Sequence, residues 1–504
     1  LLAFAAVAAF AVSRAPSYPL HHAAARAIAG QRPFVLRLMG SRTWRPCTPA
    51  ATARPTVCAE YKPDAQLLQQ LIAVARSAER NSGRSDPPWA TATTRLAIAH
   101  GDSSDGTVVA RATDDLAHLV AGHETAGMHN DLAVALVANP SAQLARLLAA
   151  LDHIERAATL DPESPVIAFN RAWLLDRLSL YEEAAHAWRR YMVLEPDSAW
   201  NAEAKSRLTI LEARSFADST MARLADDPQR ERATFFDTLL AAWAGVARQE
   251  QGRRRAAVHN LDSAAWRIAR RNGDSTTVHV AREVAMHGSR IAPAVEMYAI
   301  AARRAKIVGA DDTVAASMHT AVGVFRVAGA HALAGWADLL LARDAFYRMR
   351  YEQTEQTTAA VEQAARERHD LALVAMAQWL RALTIGKVGR MAEAAVLYDE
   401  ASSLFASIGE QSHSAALRGQ MADALYFMGQ DDAALAARGE MLSGLAHRRS
   451  ASLRAGSLLG LARWLQETGF PAAAITVLQE AVRSAEYSRN VANDRPEALV
   501  RLAE

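Results

Sequence analysis

The sequence predicts an all-α protein, a solenoid of stacked antiparallel helix pairs, and three observations carry that prediction. Hydrophobic residues make up 51% of the 504-residue chain, but aromatics only 6%; alanine dominates, which favours helix and lets helix axes approach closely. The segments "KVGRMAEAAVLYDEA", "FMGQDDAALAARGEM" and "ETGFPAAAITVLQEA" align with their glycines, Gly389, Gly429 and Gly469, forty residues apart. An acid–proline step, "LDPES" and then "LEPDS", places Pro162 and Pro196 thirty-four residues apart. Val-Ile-Thr alternation, the mark of a sheet, is nearly absent. A single catalytic core has no use for such intervals. A helical array does, because each unit buries its apolar face only against its neighbours.

The chain opens on "LLAFAAVAAFAV", residues 1–12. Twelve residues span about 18 Å as a helix, less than a bilayer core. The segment therefore reads as the end of a transmembrane or signal-anchor helix, with the apolar region of a cleaved signal peptide as the alternative. Residues 13–63 carry Pro, Arg and small side chains without a sustained period and read as an extended linker. Cys47 and Cys58 lie in its "RPCTPAATARPTVC" run. They either close a short disulfide loop in an oxidising compartment or are unrelated thiols, and without a nearby His they make no zinc site. Residues 64–214 read as a first array, 215–231 as a linker and 232–504 as a second array. Loop signals fall at "NSGRSDPP", "HGDSSDG", "ADSTMARLADDPQ", "RNGDST" and "SIGEQS".

Within the second array the repeat carries its own packing logic. Each turn glycine supplies the positive φ that ends a first helix. Five residues later come Ala394, Ala434 and Ala474; seven residues earlier sit Ala382, Ala422 and Ala462. Small residues facing each other let the two helices of a pair pack at short distance. A weaker copy, "EQGRRRAAVHNLDSA", carries Gly252 and Ala257.

The unit from Pro165 to Ser198 resembles a tetratricopeptide repeat, with Asn170 in its first helix, "YEEA" at Tyr181–Ala184, Trp188, and "LEPDS" closing it. It departs from the repeat pattern at Arg171 and Tyr191, where Leu and Ala are usual. The resemblance implies a right-handed superhelix. A narrower resemblance is carried by "GQRPFVLRLMGSRTWRPC", "HNDLAVAL" and "AFNRAWLLDRLSLYEEAAHAWRRYMVLEPDSAWNAEAKSRL": the chain looks like the repeat region of bacterial CHAT-domain proteins. In that family a caspase-like cysteine peptidase domain with a His/Cys dyad follows the repeats. No cysteine lies beyond Cys58, so the dyad maps onto no residue here, and the chain is expected to be part of a longer protein.

Function follows by elimination and by geometry. A net charge of +2 gives no field to hold nucleic acid or a membrane surface. "HVAREVAMH" sets His279, Glu283 and His287 at helical spacing, a possible metal face read here as a polar helix face. "HETAGMH" separates His123 and His129 by six residues, which turns the rings apart. Arg253–Arg255 reads as a solvated helix start. No catalytic residue, metal site or cofactor is expected. In such arrays the first helix of each pair lines the concave face, so Asn170, Trp173, Arg177, Trp379, Leu383, Asp423, Tyr426 and Arg463 are the candidate groove residues. Aromatic, Arg and carboxamide groups suit a protein or peptide partner, with no nucleic acid and membrane contact only through the N-terminal segment. The expected role is a scaffold that recruits for, or regulates, a caspase-like domain. A ligand- or metal-binding sensor and an architectural spacer are the alternatives. Localisation is expected at a bacterial membrane, the array cytoplasmic or periplasmic.

Overall fold

The computed structural model describes residues 28, 32, 34–39, 41, 44–47, 65–80, 86–101, 106–138, 144–221, 228–246, 251–305, 311–445 and 451–486. Every regular element among them is helical, and the chain divides into two compact units. One comprises Leu1–Glu212 with Gly469–Thr476, the other Ala213–Thr468 with Val477–Glu504. The apolar segment 1–12 lies outside the described residues. Among those described, no helix is long and apolar enough to cross a membrane.

The helices of unit 1 are α1 Ala65–Arg80, α2 Asp86–Gly101, α3 Gly106–Gly122, α4 Ala126–Ala138, α5 Leu144–Leu160, α6 Pro165–Arg177, α7 Tyr181–Leu194 and the first part of α8 Ser198–Met221. Pro165 occupies the first turn of α6, where its missing N–H costs nothing. From α1 to α7 each helix packs on the next. Helix α8 continues through Met221, so the first residues of the expected "ADSTMARLADDPQ" loop are helical.

Unit 2 begins with α9 Pro228–Thr234, a π-helical turn Phe235–Leu240 and α10 Ala241–Val246. It continues with α11 Gln251–Asn272, α12 Thr276–His287, α13 Ala292–Ala305, α14 Asp312–Ala328, α15 His331–Tyr347, α16 Tyr351–Arg368, α17 Leu371–Lys387, α18 Met391–Ser407, α19 Gln411–Phe427, α20 Asp431–Gly444, α21 Ala451–Glu467 and α22 Pro471–Glu486, whose residues through Thr476 are assigned to unit 1. From α13 to α20 each helix packs on the next, and from α14 onward they are joined by short turns. Gly252, expected at a turn, is instead the second residue of α11.

Two helix types alternate. In α15 and α17 buried residues occur all round, Ala332 to Ala337 in one and Ala372 to Ala375 in the other. In α16 they form one stripe, Thr354, Thr358, Val361 and Ala365. A helix buried on several faces is an inner layer; a single-stripe helix is an outer one. The hydroxyls in the α16 stripe are satisfied locally: Thr354 donates to the Arg350 carbonyl at 2.9 Å and Thr358 to that of Thr354 at 2.8 Å. The six repeat alanines lie at these crossings. Ala382, Ala394 and Ala422 are 0% exposed, Ala434 and Ala462 1% and Ala474 5%.

One turn geometry recurs every twenty residues. Gly329, Met349, His369, Gly389, Gly409 and Gly429 all have φ between 58° and 87°. In each, the following amide closes on the carbonyl five residues earlier, from Ala330 N to Phe325 O at 2.8 Å through Gln430 N to Leu425 O at 3.0 Å. This satisfies carbonyls that the helix end leaves open. The forty-residue glycine spacing is thus every second turn of the series. Met349 and His369 hold the same left-handed backbone at a steric cost.

A Cβ at Gly389 meets nothing within 4 Å. Gly389→Ala is therefore expected to destabilise unit 2 by about 1 kcal/mol, from backbone strain alone. Met349→Gly, at an exposed position of the same geometry, is expected to shift the urea midpoint the other way.

Candidate partner grooves

In unit 1 the inner helices surround a non-helical piece of the chain itself. Phe34, Leu36 and Leu38 are 3%, 0% and 0% exposed. The sequence reads this stretch as part of a linker, but its described residues are buried against the array. Its apolar side chains are too few to build a core of their own, so they use the one the helices provide.

The array holds this strap by its main chain. Asn170, on α6, accepts from the Arg37 amide at 2.6 Å and donates to the Arg37 carbonyl at 2.7 Å. Asn130, forty residues earlier on α4, donates to the same carbonyl at 2.9 Å, and the two carboxamides are linked at 2.8 Å. The next residue of α4, Asp131, accepts from the Met39 amide at 2.9 Å and from the Trp89 indole N–H at 3.0 Å. Gly127, one turn before Asp131, makes room for this: a Cβ there would sit 2.3 Å from the Trp89 ring and 3.3 Å from Met39.

Two arginines of the strap enter an aromatic pocket formed by Phe169, Trp188, Tyr191 and Trp200. Phe169 packs edge-on against the other three at 5.2–5.4 Å between centroids. The fully buried Arg37 lies 4.0 Å from the Trp200 ring centroid and donates to the Tyr191 hydroxyl at 2.9 Å and the Glu195 carboxylate at 2.8 Å. Glu195 is the acid of the second acid–proline step. Arg32 pairs with Glu203 at 2.6 Å, and the same carboxylate oxygen accepts from the Cys47 amide at 2.8 Å. Burial lowers the pKa of Arg32 against the opposing pull of Glu203, and it raises that of the Tyr191 phenol. Cys47 carries no free thiol; Cys58 lies outside the described residues.

Of the candidates on this unit, Asn170 contacts the strap, Trp173 is half-buried and Arg177 is exposed at the end of α6. Sequence reasoning missed Arg32, Arg37, Trp89, Asn130, Asp131, Trp200 and Glu203. One sign was present: Tyr191 stands where the repeat pattern has a small residue, and that departure supplies a hydroxyl to Arg37. The other departure, Arg171, pairs with Glu155 at 2.9 Å.

Unit 2 has a cavity of about 550 Å³. Inner helices form its wall, with Phe236, Tyr298, Trp336, Trp379, Leu383 and His413 among the lining residues. Trp379 donates to Gln420 at 2.7 Å and packs against the His413 ring at 5.4 Å. Arg232, also among the lining residues, makes a two-pronged pair with Glu410 at 2.8 Å for each contact, joining residues 178 apart. Burial would raise the Glu410 pKa, but Arg232 and His413 hold it down at about 2. Asp423, Tyr426 and Arg463 do not line this cavity. Asp423 accepts from Arg438 at 2.8 Å, Tyr426 lies 6.5 Å from the Trp464 ring, and Arg463 pairs with Glu467 at 3.3 Å while its guanidinium lies 5.7 Å from the Phe427 ring centroid.

The histidine motifs serve packing. Both Glu283 oxygens accept backbone amides at the start of α15, Ala332 at 2.6 Å and Leu333 at 3.0 Å. His279 bonds to Asp370 at 2.6 Å. Among the described residues no three such side chains are grouped to hold a metal. His123 is exposed, whereas His129 is buried with its Nδ1 3.0 Å from that of His153. That contact requires one ring to donate and the other to accept, so the accepting ring is neutral, and burial lowers the pKa of both. Burial, and then its neighbour, push the His153 pKa down to about 4.

Among solved structures, the chain is similar to the APC/C hetero-tetramer Cut9–Hcn1, at 13% identity over 86% of this chain and 94% of that chain, with a TM-score of 0.23. It is similar to the TPR domain of P58(IPK) at 13% identity over 86% and 98%, TM-score 0.22. It is also similar to yeast Tom70 at 11% over 88% and 96%, TM-score 0.28. No protein-family model matches the chain, and no curated protein does. The class of the protein, an α-helical solenoid of successive packed helices, rests on the helices and turns themselves.

Glu195→Ala strands the Arg37 charge in a dry pocket and is expected to cost about 3 kcal/mol in the unfolding of unit 1. The double variant Arg37→Met, Glu195→Gln is expected to recover most of that loss in the same denaturation assay. The unfolded His153 takes up a proton near pH 6.5, the folded one only near pH 4. Stability is therefore full above that window and falls by about 3 kcal/mol as pH drops through it. His153→Asn is expected to flatten this slope in thermal melts taken between pH 7 and 4.

Proposed function

We propose that the protein is a non-enzymatic scaffold that binds extended peptide segments of partner proteins. The observation that carries this reading is the grip of Asn130 and Asn170 on the amide and carbonyl of Arg37. Main-chain recognition of an extended segment gives affinity without demanding one sequence, while adjoining pockets select side chains. The ionisable groups inside the two units support it as well, being spent on one another: Arg37 with Glu195, Arg32 with Glu203, Arg232 with Glu410. In unit 2 the wall around Trp379 and Leu383 offers the aromatic and aliphatic anchoring that partner side chains use.

Following the resemblance to CHAT-domain proteins, the scaffold recruits partners for, or regulates, a caspase-like peptidase domain, and residues 1–12 tether it to a bacterial membrane. In cells, a photo-crosslinking residue at Leu383 is expected to capture a reproducible protein adduct, which Trp379→Ala reduces at least fivefold. The same probe at the exposed Val327 is expected to capture none of it. Equal capture at both positions, or none at Leu383, would overturn the reading.

A further inference from the structure

We propose that the unit 1 groove is a binding site for an extended peptide presenting an arginine, and that residues 32–39 of the chain are its tethered occupant. The partner of this unit is a protein segment that displaces the strap and delivers its own arginine to the same pocket. This rests on the reading of the arrays as peptide-binding scaffolds and names the ligand of one of them.

The chemistry of the pocket is selective. Tyr191, Glu195 and the face of Trp200 together present an acceptor pair beside a flat π surface. That combination fits a planar guanidinium better than the compact ammonium of lysine. The carboxamides Asn130 and Asn170 read only the main chain on either side of that residue, so they set the register and leave identity to the pocket. The third contact, Asp131 to the Met39 amide, lies two residues on, where the segment begins to turn.

The occupant fits imperfectly, which is what makes it exchangeable. Arg37 Nε and Nη2 are buried without acceptors, although the pocket takes the whole side chain out of water. Unmet donors weaken intrinsic affinity. A segment attached to the array nevertheless keeps the groove filled, because its tether replaces a bimolecular encounter by a high effective concentration. The strap is then a gate: it shields the aromatic pocket until a ligand with a better set of contacts arrives.

The test uses the full chain with a protease site inserted between Lys62 and Pro63, and a fluorescent peptide of residues 30–46 as the probe. Cutting the tether and diluting the protein is expected to improve binding of the peptide, read by anisotropy, at least tenfold over the uncut chain. The peptide with Arg37→Ala is expected to bind at least tenfold more weakly than the parent, and Arg37→Lys to recover only part of that loss. If cleavage gives the peptide no better access, or if the Arg37→Ala peptide binds as well as the parent, the proposal fails. Neither outcome depends on a destabilising variant of the array. Because the crosslink at Leu383 probes unit 2, loss of this proposal and loss of the scaffold reading are told apart.

Discussion

The close approach of antiparallel helices through small side chains is the constraint on which the rest of the molecule depends. Ala382, Ala394, Ala422 and Ala434 are all buried between packed helices and put little side chain there. The left-handed turn residue every twenty positions lets the chain reverse without spending more than two or three residues. Aromatic side chains supplement the small ones, as where Phe169 of α6 packs on Trp188 and Tyr191 of α7.

The proposed role in recognition follows from how the side chains are distributed. In unit 1 the inner helices offer carboxamides at matching levels, and the chain's own strap completes the surface. In unit 2 the same kind of inner wall is aromatic and aliphatic, with Arg232 of the buried Arg232–Glu410 pair among its lining residues. Removing one member of such a pair leaves an uncompensated charge. The groups that look chemically active in the sequence are thus the ones least free to act. Glu283 shows this most plainly, since both of its oxygens cap a neighbouring helix.

Under the proposed displacement, the strap would regulate the unit 1 groove. Its affinity for the groove is divided between main-chain bonds that any extended segment would make and a guanidinium that the pocket satisfies in part. A tethered ligand of that kind sets a threshold which a free ligand has to exceed. Specificity then resides in the difference between two similar segments.

The sequence by itself determined the helical class, the packing of successive helices and the burial of the repeat alanines, because these follow from composition, spacing and turn stereochemistry within forty residues. It also placed Trp379 and Leu383 on an inner helix. It indicated Gly389 and Gly429 as left-handed turn positions but passed over Met349 and His369, since nothing in a side chain announces a strained backbone. The occupied groove was decided by tertiary structure alone. Arg37 meets Asn170 and Glu195 across more than 130 residues, and a short apolar run in a proline-rich segment carries no periodic signal that would pair it with a distant helix. Local rules fix the helices; only the folded array decides which part of the chain lies against them.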